Sequence, residues 1–306
     1  MSCDHILAKG TPCGDDPRWA AANSTYRYLR LSIVVVVMTL GVSLARQIIK
    51  HGCTQGSVSA FYYTPVHSVF IAALALIGVA LIAIRGATAL REALLNMAGF
   101  LAPVVAFIPT DRPSSADAAR CPIDDAIGVI PKSFINNNLL SFMIGGTAAM
   151  VVVVALVARQ TSAAQVTKTL IHRETVLPAV GAGVTLGLLW VWRAQWPASF
   201  EKHAHSYSAI GMFALVGMFI ISVARATSGR FKFIFFGCAA LMAIGIVIGV
   251  VRRNHHYTVL VVEVIETVAF LVFWIAQSVR LWEVGIPAVA APTPKPKATT
   301  NQVPLV

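Results

Sequence analysis

Eight times along this chain a run of mostly apolar residues recurs with few or no charges inside it. Each run approaches the roughly 20 residues that an α-helix needs to cross about 30 Å of hydrocarbon. The runs lie near Leu31–Ile49, Val66–Ile84, Ala93–Pro109, Leu139–Val157, Val176–Trp192, Ser208–Ala224, Phe233–Val251 and Thr258–Val279, the third and fifth being short. Backbone inside lipid must satisfy its own hydrogen bonds, so segments of this kind are helices. The expected fold is therefore all-α: a polytopic transmembrane bundle of about eight helices with both termini cytoplasmic. Residues 31–282 form the membrane domain, between a cytoplasmic segment 1–30 and a disordered, Pro-rich cytoplasmic tail 283–306. Only 12% of residues are charged, against about 25% in soluble chains, so a water-soluble fold is excluded. The polar first 30 residues show no cleavable signal peptide, and the first span is expected to act as its own insertion signal.

The net charge of +11 does not point to nucleic acid, because Lys and Arg sit in short runs beside the apolar segments. That pattern suits lipid headgroups and sets topology. Of the 24 Lys and Arg residues, fifteen fall on the side of the termini and nine on the other, which makes the terminal side cytoplasmic. Cys53 and Cys121 then lie in the first two external loops, on the oxidising side, and are expected to pair as a disulfide. The loop Thr110–Asn138 is the longest connection; Ile123–Ile130 suits a short interfacial helix, and Asn136, Asn137 and Asn138 suit a cap before the fourth span.

Small residues at four-residue spacing, Ala179, Gly183 and Gly187 in the fifth run and Gly245 and Gly249 in the seventh, favour close packing within the bundle and also admit a homo-oligomer. Trp190, Trp192, Trp196 and Trp282 stand at run ends as headgroup anchors.

Ionisable groups inside a span are costly, and so mark a functional site by default. Glu263 and Glu266 share one face of the eighth run, roughly 7 and 12 Å below its outer end. A polar pocket centred on them is expected, with Arg46 as counter-charge and Tyr62, Tyr63 and His67 at its rim. A structural ion pair or a hydrogen-bonded carboxyl is the competing role. His203, His205, His255 and His256 fall on the same side and, with Asp111, would hold zinc if they converged. Their spacing matches no metal motif, and otherwise no cofactor is expected. Phosphate-binding loops, nucleophile elbows and CxxC pairs are absent from the sequence.

The run Ser59–Pro65, SAFYYTP, followed by Val69 and Phe70, resembles a signature of bacterial, largely actinobacterial, multi-pass membrane proteins of uncharacterised activity. Leu95, Asn96, Ala98 and Gly99, Pro109 and Thr110, and Phe273, Trp274 and Gln277 extend the resemblance. It implies a multi-helix bundle with a polar outer face and brings no catalytic residues. Histidines and acids near helix ends are also similar to those of the membrane hydrolases that include alkaline ceramidases and adiponectin receptors, whose helical histidine pair at four-residue spacing is missing here. The leading expectation is a bacterial plasma-membrane protein, non-enzymatic, whose externally open pocket binds or passes a small solute, proton or lipid headgroup. A membrane scaffold and a metal-dependent lipid hydrolase are the alternatives.

Overall fold

The computed structural model describes residues 17–114, 117, 120–123, 132–160, 173–251 and 257–282. Among them are eight α-helices: α1 Pro17–His51, α2 His67–Ala83, α3 Ala89–Phe107, α4 Lys132–Gln160, α5 Arg173–Gln195, α6 Pro197–Arg225, α7 Arg230–Val251 and α8 Thr258–Leu281. Seven are long and apolar enough to cross a membrane, and α2 is a shorter apolar helix. The chain is thus a polytopic helical membrane protein, as the apolar runs require. The tail 283–306 and the segment 124–130 lie outside the described residues.

The boundaries differ from the sequence reading in instructive places. Helix α1 begins at Pro17, well before the apolar run opens at Leu31, because a first-turn proline costs a helix nothing. Helix α4 begins at Lys132, so Asn136–Asn138 lie inside it and cap nothing. The short span is α2, with 17 residues, and not the third or fifth. Pro65 cannot sit inside an α-helix, and a 3-10 turn over Ser59–Tyr63, all five residues buried, leads the chain into α2.

Neighbouring helices close a ring in the order α1, α2, α3, α6, α7, α8 and back to α1, with α5 and α4 applied to α3 from outside. All six ring helices supply side chains to one core, including Phe219, Phe235, Phe273 and Trp274 in edge-on aromatic contact. The ring is filled: the cavity among Val37, Leu40, Leu81, Met212, Val216 and Phe270 measures about 50 Å³ and its wall is apolar apart from Thr267. A second, smaller core joins the ends of α3 and α6 to α4 and α5 through Val104, Leu139, Met143, Leu189 and Phe200.

Lipid gives helices no hydrophobic drive to associate, so close backbone approach matters more. The closest approach is between α2 and α3. A methyl group on Gly78 would lie 2.7 Å from the Gly99 carbonyl oxygen, and one on Gly99 at 2.7 Å from that of Gly78. The stripes picked out by spacing divide: nothing lies within 4 Å of such a methyl on Gly187 and Gly183 meets only Met150, whereas one on Gly245 would lie 3.1 Å from Glu266.

Candidate functional site

The 3-10 turn poses a problem that its surroundings solve. Irregular backbone at membrane depth is tolerated only where protein satisfies it. Glu263 does so from the second turn of α8. Its Oε2 accepts from the Val58 N–H at 2.5 Å and the Ser59 N–H at 3.4 Å, and its Oε1 accepts from the Ser59 hydroxyl at 3.0 Å. The Leu260 N–H donates to the Gly56 carbonyl, and buried Gln55 donates to the Cys121 carbonyl at 3.2 Å. Cys53 and Cys121 are disulfide-bonded, Cα to Cα 5.5 Å, tying the end of α1 to the loop beyond α3.

The expected glutamate pocket is thereby rearranged. Glu263 caps the turn. Glu266 is buried against Gly245, whose missing side chain makes room for it, and has no hydrogen-bond or ion-pair partner among the described residues. Arg46 is exposed and pairs with neither glutamate. Tyr62 and Tyr63 are buried in the core and form no open rim. The Tyr63 hydroxyl donates to the Thr110 carbonyl at 2.7 Å, and His67 Nδ1 donates to the Tyr62 carbonyl at 2.8 Å while its ring packs edge-on against Tyr62. Burial pushes both phenols up to about 12, so they stay protonated at any working pH.

The histidines part company. His205 is buried and its Nδ1 donates to the Ile108 carbonyl at 2.6 Å, fixing α6 against the end of α3. His203 stacks on Tyr207, and Asp111 is exposed. His255 and His256 lie outside the described residues. Among the described residues no three His, Cys, Asp or Glu side chains come together as a metal site.

A polar opening on the disulfide face lies elsewhere, where the ends of α3, α4, α5 and α6 meet. It is a cavity of about 500 Å³. Ile108, Ile135, Leu139 and Phe200 give it an apolar floor; Lys132, Arg193, Lys202, Asp111 and Glu201 stand around its mouth. Lys132 is paired with Glu201 at 3.0 Å. Arg193 is held in place without being neutralised: both terminal nitrogens donate to Asn136 Oδ1 at 3.3 Å and the guanidinium lies 6.0 Å from the Phe200 ring centre. Among the described residues neither Arg193 nor Lys202 has a carboxylate partner. An apolar floor under a positioned arginine and an exposed lysine suits a ligand with one anionic group and an apolar body. Sequence reasoning missed Arg193, Asn136, Lys132, Lys202 and Phe200 as a group. Their one signal was the density of charge around the ends of the fourth to sixth runs.

Fold and site define a multi-pass helical membrane protein with a polar pocket at one membrane face. Comparison with protein-family models, curated proteins and solved structures gives no match, so function has to be read from this chain's own geometry.

Proposed function

We propose that this is a multi-pass protein of the bacterial plasma membrane that binds an anionic amphiphile, a phosphate- or carboxylate-bearing lipid headgroup, in the pocket on its disulfide face. The observation that carries the reading is the cavity of about 500 Å³ in which Arg193 is oriented by Asn136 yet left without a counter-charge. The disulfide supports placing this face on the oxidising side. Arg85, Arg91, Arg225, Arg230, Lys232 and Arg280 at the opposite helix ends support the same orientation. Binding is favoured over passage because the helix ring is packed with aromatic side chains and its central cavity is small and apolar.

The test is titration of purified protein with short-chain phosphatidylglycerol and with the matching phosphatidylcholine. The anionic lipid is expected to bind more tightly, and Arg193→Ala to weaken it by roughly tenfold, the effect of losing one charge-assisted hydrogen bond. Equal affinity for both lipids, or an unaffected variant, would contradict the proposal. A scaffold role remains the second reading, supported by Glu263, whose carboxylate is committed to holding a loop. In that case neither lipid binds in the pocket and Glu263 variants change stability alone.

A further inference from the structure

Helices α3 and α6 form a second feature, on the face opposite the disulfide. A cavity of about 540 Å³ opens between their ends, lined by Leu90, Leu94, Met218 and Ile221 with Arg91, Ser222 and Arg225. No carboxylate lines it; the neighbouring Glu92 is taken by Arg85 at 3.8 Å. Arg91 is half-buried and held: its Nε donates to the Ser222 hydroxyl at 3.0 Å and its Nη2 to the Ser222 carbonyl at 2.5 Å, leaving Nη1 free to donate. Arg225 is exposed and has no partner among the described residues. Arg280 lies within electrostatic reach of Arg91 and adds to the positive potential.

A second cavity lies further along the same two helices. Leu90, Leu94, Met97 and Leu101 follow one another along α3 at spacings of four, three and four, and so share one face. Leu215, Met218, Ser222 and Arg225 do the same on α6. Met97, Leu101 and Leu215 line the next cavity along the same seam, about 350 Å³, completed by Leu188 and Thr185 of α5. From Arg91 to Leu101 the groove runs roughly 15 Å at the helical rise, which is half the roughly 30 Å hydrocarbon core. A basic end and an apolar trough one leaflet long match the two parts of a phospholipid.

We propose that this groove binds one anionic phospholipid, its phosphate held by Arg91 and Arg225 and one acyl chain lying against Leu94, Met97, Leu101 and Met218. The site is separate from the pocket on the disulfide face and does not depend on it. Basic pockets between helices on the cytoplasmic side are where anionic headgroups settle, and an oriented arginine distinguishes a site from the general attraction of a basic surface.

The test is native mass spectrometry of the full chain carrying Arg193→Ala, which disables the pocket on the disulfide face, released from nanodiscs containing equal phosphatidylglycerol and phosphatidylcholine. One phosphatidylglycerol is expected to stay bound, and Arg225→Glu to cut its retention roughly tenfold. Met218→Trp, which fills the trough and leaves both arginines in place, is expected to do the same. Equal retention of the two lipids, or full retention in both groove variants, would overturn the proposal. Displacement by millimolar inorganic phosphate as effective as that by phosphatidylglycerol would overturn it too, by showing a site for the free ion.

Discussion

The loop on the disulfide face and the seam between α1 and α8 at the opposite end treat their buried polar groups in contrary ways. In the loop, where the backbone is irregular, no buried side-chain polar atom of the described residues is left over: Glu263 takes the donors of Val58 and Ser59, Gln55 reaches Cys121, Tyr63 reaches Thr110, and a disulfide closes the whole. In the seam the backbone is regular helix, and the side chains are left over. Arg30 is buried between Tyr26 and Trp274, 5.2 and 5.7 Å from their ring centres, with no partner for its Nε. Trp274 Nε1, Gln277 Oε1 and Ser278 Oγ are likewise unmatched among the described residues. Where helices supply their own hydrogen bonds, polar side chains are not needed to hold the fold together. Where buried chain leaves helical geometry, they are indispensable.

The same contrast separates the two glutamates, one turn apart. Glu263→Ala should be the most damaging change, costing about 1–3 kcal/mol for each buried donor left without an acceptor, read as a fall in the unfolding midpoint of detergent-purified protein. Glu266→Gln should cost far less, since Glu266 accepts from no described residue and the amide fills the same space beside Gly245. Equal losses would break the comparison. Arg30→Met comes next and should shift stability by no more than about 1 kcal/mol either way, because aromatic contact with the cation is exchanged for relief from burying it. A loss as large as that of Glu263→Ala would reveal a counter-charge for Arg30. A separate test is with pH. The folded state holds the Tyr62 and Tyr63 protons more tightly than the ordinary 10.0, up to about 12. Their contribution is thus complete below pH 10 and lost as pH rises from about 10 to about 12. The double Phe variant should unfold with a shallower pH dependence across that window.

The helices were legible because an apolar run of spanning length admits one secondary structure. Cys53 and Cys121 were legible because topology put them in one compartment. Glu263 was singled out by its depth, correctly as unusual, yet its partner is a loop some two hundred positions away in the chain, and a functional pocket looked the natural reason for a carboxylate at that depth. Tyr62 and Tyr63 were placed at a rim because polar tips in a short motif look exposed; a 3-10 turn, which carries no periodic signal over five residues, buries them. Arg193 with Asn136, and Arg91 with Ser222, were invisible for a simpler reason. Arg193 and Arg91 carry only a topological signal, Asn136 reads as a helix cap, Ser222 has no signal of its own, and nothing in the sequence says which helix ends meet.

The central claim is that the pocket beside Phe200 opens on the oxidising side of the membrane and accepts an anionic headgroup. Ala198 lines that pocket and is exposed. An Ala198→Cys variant, with Cys3, Cys13 and Cys238 replaced and the disulfide kept, can be treated in intact cells with a membrane-impermeant maleimide. The account expects labelling without permeabilisation, slowed by short-chain phosphatidylglycerol and not by phosphatidylcholine. Labelling only after permeabilisation, or no protection by the anionic lipid, would contradict it.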